Sequence, residues 1–80
     1  MFIIKYCTAW NYYPQAVSLS AQINSNIMDT CQIEKGENGQ FDLFLNGELF
    51  LSKKHMGKFF DIEDVKRCLK LIDSYLVQEV

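Results

Sequence analysis

Residues 41–52 hold two apolar runs, FDLFL and ELFLS, separated by the dipeptide Asn46-Gly47. Both turn residues accept the positive φ of a two-residue type I′ turn, so this stretch is driven toward a β-hairpin. Such a turn sets the register, with Leu45 opposite Glu48, Leu43 opposite Phe50 and Phe41 opposite Ser52. One face of the hairpin then carries Phe41, Leu43, Leu45 and Phe50. The other carries Phe44, Leu49 and Leu51, with Asp42. Both faces are apolar, so neither is suited simply to face water.

The rest of the chain supplies the layer this hairpin needs. Phe2 to Tyr6 is a short apolar and aromatic run that reads as a strand, with Cys7 at its end. Asn11 can cap a following helix whose first turn includes Pro14, where a missing N–H costs little. Tyr12, Ala16, Leu19, Ile23 and Ile27 recur at spacings of three and four, which predicts a helix over residues 12–26. Residues 30–35 form a weaker strand, and Gly36 to Gly39 a polar turn. Residues 55–60, with Gly57, read as a loop. Asp61 and Asp64 resemble an N-cap with an acidic first turn. Beyond them Val65, Cys68, Leu69, Ile72, Tyr75 and Leu76 share one stripe, predicting a helix over residues 62–77.

The resulting order is β-α-β-β-β-α. A right-handed crossover makes the first two strands parallel, and the hairpin adds antiparallel ones. The expected architecture is α/β: a four-stranded mixed sheet with two helices on one face, in a single domain over residues 1–80. Hydrophobic residues at 49% and aromatics at 14% of the 80 residues are enough for a core in so short a chain. The opposite sheet face is left bare, which points to a protein partner or a homodimer.

Charge and termini narrow the function classes. Eight Lys and Arg against ten Asp and Glu give a net charge of −2, and the largest basic cluster is Lys53-Lys54 with Lys58 nearby. A nucleic-acid partner needs a basic face to neutralise phosphates, and that face is not evident. After Met1 only the three apolar residues Phe2, Ile3 and Ile4 precede Lys5, with no charged leader, which predicts neither a signal peptide nor a membrane span. Three cysteines cannot close into a full disulfide framework, so reduced thiols in the cytoplasm are expected. His55 and Met56 lack Cys or His partners at ligand spacing, so no metal site is expected. Helix-start electrostatics accounts for Asp61, Glu63 and Asp64. Gly36, Gly39 and Gly57 form no phosphate-cradling motif.

Four segments together resemble a known family. Tyr6-Cys7, followed by Tyr12 and Pro14, is similar to the opening motif of the selenoprotein W-like proteins. These form the Rdx family of thioredoxin-like selenoproteins and their cysteine homologues. Gly39, Phe41-Asp42-Leu43, Leu45-Asn46-Gly47 and Leu49 resemble its hairpin signature. Ser52-Lys53-Lys54 and Gly57 with Phe59 resemble the segment before its last helix. The resemblance implies a thioredoxin-like fold and a thiol or selenol redox role, with glutathione or thioredoxin as partner. The family's site is Cys-x-x-Cys or Cys-x-x-selenocysteine; here Cys7 matches the first position and Trp10 falls on the second. Phe60 stands where the family commonly has Pro.

Cys7 is the candidate redox thiol. A sulfur between a strand end and a helix N-terminus feels the positive end of the helix dipole, and its loop position predicts partial exposure. Trp10 cannot resolve a mixed disulfide, because exchange proceeds by thiolate attack. Cys31 is placed at the far end of the neighbouring strand, about 15 Å away at ~3.3 Å per residue. Cys68 falls on the apolar stripe of the last helix, so both read as structural. The chemistry expected is therefore monothiol, a mixed disulfide through Cys7 with glutathione or a protein partner, and with no bound cofactor. The alternative is a non-catalytic interaction module using Trp10, Tyr12 and Tyr13 together with the exposed sheet face. Self-association through that face predicts a dimer or larger species in sedimentation at micromolar concentration; a clean monomer would contradict it.

Overall fold

The structure, a computed structural model, describes residues 1–27 and 29–72. Strand β1 (Phe2–Tyr6) turns Phe2, Ile4 and Tyr6 to one side, and all three are buried. Helix α1 (Tyr13–Asn26) follows and buries Ala16, Leu19 and Ile23, the stripe that its apolar spacing prescribes. Strand β2 (Cys31–Lys35) runs parallel to β1. Strand β3 (Phe41–Leu45) pairs antiparallel with β1 on its other side, and β4 (Glu48–Ser52) completes the hairpin. The sheet order is β2-β1-β3-β4. A short helix α2 (Lys53–Met56) and a longer one, α3 (Ile62–Ile72), close the described chain. Val65 and Leu69 of α3 join the α1 stripe and the buried faces of β1 and β3 in one core. Both longer helices therefore cover the same face of the sheet.

The hairpin departs from the expected register. Asn46 and Gly47 take φ of 53° and 88°, as a type I′ turn requires, and Leu45 faces Glu48. The register then shifts between Leu43 and Phe44, so that Leu43 pairs with Leu51, Phe44 with Leu49, and Asp42 with Ser52. Phe50 is the extra residue of a β-bulge, not the partner of Leu43. Strict alternation would have left Leu51 on the face away from the helices. The bulge lets Leu51 be buried while Phe50, half-buried, meets the Phe2 ring edge-on at 6.2 Å. Recovering one buried aliphatic side chain is worth about 1.5–3 kcal/mol.

The open sheet face is correspondingly less apolar than the sequence suggested. Ile3 lies opposite Phe44, and Phe44 opposite the exposed Leu49. Lys5 sits across from both Glu34 and Asp42, and its Nζ lies 5.2 Å from the centre of the Phe44 ring. A short apolar stripe edged by charge remains.

Two helix starts also differ from expectation. Asn11 is not the cap of α1; it takes a left-handed φ of 59°, a conformation that Asn tolerates, and Tyr12 precedes the helix without a side-chain cap. Pro14 does lie in the first turn. Residues 53–56, partly expected as loop, form α2, which ends on Gly57 in the left-handed conformation (φ 76°). The expected last helix is present to residue 72; its continuation, with Tyr75 and Leu76, lies outside the described residues.

The start of α3 is a reciprocal cap. The Asp64 amide donates to Asp61 Oδ1 at 3.1 Å, and the Asp61 amide donates to Asp64 Oδ2 at 3.0 Å. Arg67 Nη1 donates to Asp64 Oδ1 at 2.9 Å, and Lys58 Nζ lies 3.8 Å from Oδ2. The Asp61 amide first, and then Arg67 and Lys58 against the cost of burial, hold the Asp64 carboxyl below the usual carboxylate range. Its contribution to stability is thus complete above the unfolded value near pH 4 and fades as pH falls through the lower folded value. Asp64→Ala should destabilise the fold by about 1–2 kcal/mol in urea denaturation at pH 7. The difference from wild type should shrink in strong acid; a difference that grew there would contradict the capping role.

Candidate functional site

Cys7 lies one residue past the end of β1, where the two connections beside that strand come together. Its amide donates to the Gln40 carbonyl at 2.7 Å, extending the β1–β3 ladder, while the Gly36 amide donates to the Tyr6 carbonyl at 2.7 Å. The chain then doubles back through Thr8, Ala9, Trp10 and Asn11, all exposed. Two longer backbone bonds hold this turn: the Asn11 amide to the Thr8 carbonyl at 3.3 Å, and the Tyr12 amide to the Cys7 carbonyl at 3.2 Å. Asn11 in the left-handed region is what allows so sharp a return into α1.

The sequence predicted a partly exposed thiol, and the structure overturns that: Cys7 has 0% of its surface open to solvent. The sulfur lies beneath the loops and not on them, because the 8–11 turn and the 36–40 connection close over the strand end. The burial is shallow, with four exposed residues immediately following. Burial pushes the thiol up, but backbone amides of Gly39, Trp10 and Ala9 hydrogen-bond the sulfur and together outweigh it. The Cys7 thiol is thereby held below its ordinary value. The helix dipole is not what holds it: the three amides belong to the two loops, in the manner of a backbone nest, and not to the first turn of α1.

Trp10 remains 60% exposed. Its six-membered ring lies against Gly39, where an added Cβ would come 3.1 Å from Cζ3 and 3.3 Å from Cη2. Gly39 also has a φ of 76°, so glycine is required there twice over. Trp10 meets Tyr12 edge-on at 6.0 Å, and Tyr12 in turn packs on Phe59 at 4.8 Å and Phe41 at 6.2 Å. Lys53 Nζ caps this cluster, 5.6 Å from the Tyr12 ring and 5.1 Å from that of Phe59. Phe60 is buried against Phe41 at 5.1 Å. Tyr13 is not part of the cluster; it is half exposed and meets Tyr6 at 5.6 Å.

The other thiols stay apart, as the sequence implied. Cys31 pairs with Phe2 and Lys35 with Tyr6, so Cys7 and Cys31 are five strand residues apart, roughly 16 Å. Cys31 is buried in the core, and burial pushes its thiol up, opposed in part by a Ser20 hydrogen bond and aided by Asp29. Cys68 is half-buried against the core, and all three cysteines are free. His55 is exposed on α2. A groove of about 490 Å³ between α1 and residues 59–61 is lined by Pro14, Leu19, Gln22, Phe60 and Asp61 among others, but not by Cys7. The residues that sequence reasoning missed are Gly39, Ala9 and Lys53. A glycine in the polar turn beside β3 was visible, but its approach to Cys7 depends on the β1–β3 pairing.

A mixed four-stranded sheet, helices on one face and a thiol at the end of the central parallel strand define a thioredoxin-like α/β protein. The crystal structure of a selenoprotein W-related protein from Vibrio cholerae superposes with a TM-score of 0.74 at 22% identity, covering 89% of this chain and 92% of that one. A Bordetella parapertussis protein superposes with a TM-score of 0.79 at 19% identity, covering 89% of this chain and 94% of that one. No curated protein matches the chain. The Rdx family model matches residues 2–71. The chain belongs to the Rdx family, and is a redox-type member of the thioredoxin-like proteins. No helix among the described residues is long and apolar enough to cross a membrane.

The opposite shifts of two thiols give a direct test. In peptide-resolved alkylation with a small reagent, Cys7 should turn reactive at a lower pH than it does in the denatured chain, and Cys31 at a higher one. In denaturant the two midpoints should converge. A Cys7 midpoint at or above that of the denatured chain would contradict stabilisation by the loop amides.

Proposed function

We propose that this protein carries out monothiol redox chemistry through Cys7. The single observation behind the reading is the set of three backbone amides directed at one sulfur, which favours thiolate over thiol. The Cys7 thiolate attacks one sulfur of glutathione disulfide or of a partner protein's disulfide. A new sulfur–sulfur bond forms to Cys7, the old one breaks, and the leaving sulfur departs as a thiolate. A second, external thiolate then attacks the mixed disulfide and releases Cys7. Trp10 offers no sulfur for internal resolution, and Cys31 is too distant for a bridge. The cytoplasm, where glutathione keeps thiols reduced, suits this cycle.

Trp10's exposure favours a second reading, in which Cys7 is a structural thiol and Trp10, Tyr12 and Tyr13 contact a protein partner. A homodimer through the open sheet face belongs to the same reading. Partner binding retained in Cys7→Ser would support it.

Incubation with glutathione disulfide should add one glutathionyl group, located on Cys7 by peptide mass spectrometry and removed by dithiothreitol. Cys7→Ser should gain none at that peptide. Modification confined to Cys31 and Cys68, or none at all, would overturn the redox proposal.

A further inference from the structure

Any disulfide exchange at Cys7 meets an obstacle in the structure itself, since none of the residue's surface is open to solvent. A disulfide as large as glutathione's needs an in-line approach to the sulfur, so part of the surrounding chain has to move. The candidates are few. The strand side is anchored by the Cys7 amide on the Gln40 carbonyl. The 36–40 connection is tied by the Gly36 amide to Tyr6, the Gln40 amide to Glu37, the Glu37 amide to Gln40 Oε1 at 2.8 Å, and Gln40 Nε2 to Asp42 at 2.9 Å. The 8–11 turn has the two long backbone bonds, four exposed residues and a left-handed Asn11. Besides the Ala9, Trp10 and Gly39 amides that meet at the sulfur, this turn reaches the well-tied connection through the Trp10 ring, which lies on Gly39.

We infer that Trp10 is a latch that determines which disulfides reach Cys7: with its ring on Gly39 the covered thiol is reached only through small local motions, which suffice for small reagents, and lifting the ring admits bulky ones. The inference rests on the redox reading of Cys7. It gives a physical role to an exposed aromatic side chain three residues from the thiol. The ring contributes no chemistry. It closes the gap between two loops whose amides hold the thiolate, and its exposed outer edge lets an arriving partner displace it. Closing by a ring contact and not by a covalent bond keeps the opening rapid and reversible.

The test compares wild type, Trp10→Ala and Trp10→Phe as full chains, with folding checked by circular dichroism. Cys7 modification is followed by peptide mass spectrometry with methyl methanethiosulfonate as the small reagent and glutathione disulfide as the bulky one, across a range of pH. In Trp10→Ala the glutathione disulfide rate should rise by roughly five- to tenfold while the small-reagent rate changes far less, with Trp10→Phe between the two. The pH midpoint should stay low, because the amides that set it are backbone groups the substitution retains. Equal bulky-to-small ratios in wild type and Trp10→Ala, with the low midpoint kept, would overturn the latch and leave the redox proposal standing. An ordinary or raised midpoint in wild type would overturn the redox proposal itself.

Discussion

The pairing of β1 on both sides is the constraint from which the rest follows. With β2 parallel on one edge and β3 antiparallel on the other, β1 ends where two different connections meet, those of residues 8–12 and 36–40. A parallel neighbour requires a crossover, so α1 must start near the point where β1 stops. An antiparallel neighbour brings the start of β3 to the same point. Three segments therefore meet at Cys7. Loop amides freed from sheet or helix pairing need partners there, and the sulfur provides one.

Burial and reactivity are usually opposed for a thiol, since loss of water disfavours the charged form. Cys31 follows that rule, and its thiol is pushed up. Cys7 is shielded as well, yet shifts the other way because its immediate surroundings are backbone N–H groups and not core side chains. The two cysteines share a fold, a sheet and near-complete burial, and differ in what their sulfurs face. The aromatic cluster beneath the 8–11 turn stabilises this arrangement from below: Tyr12, Phe41, Phe59 and Phe60 pack at 4.8 to 6.2 Å, tying the α1 start to β3 and to the segment before α3. Phe60 is buried in the core against Phe41.

Much of the architecture was legible because local signals carried it. The Asn46-Gly47 turn, the stripes of α1 and α3 and the Asp61–Asp64 cap each depend on residues within a turn or two of one another. The misread features depend on distant ones. The β4 bulge exists because Leu51 is buried only if an extra residue intervenes, a demand made by the core and not by the turn. Asn11 looked like a cap because Asn often is one, but the tight return from Cys7 to Tyr12 claimed its left-handed conformation instead. The exposure of Cys7 was misjudged for the same reason: its cover includes a connection some thirty residues away in the chain.

What the sequence determined by itself is the order of elements, the position of one thiol at a strand end, and the absence of a second sulfur at the position of Trp10. These rest on residue identity and short-range periodicity, which need no partner to be read. What only the tertiary structure decided is the state of that thiol. Its cover, its amide ligands from Gly39, Trp10 and Ala9, and the Trp10 ring lying on Gly39 all arise from chain segments brought together by the sheet. A thiol's proton affinity is set by the charges and dipoles within a few ångströms, and sequence distance does not measure those.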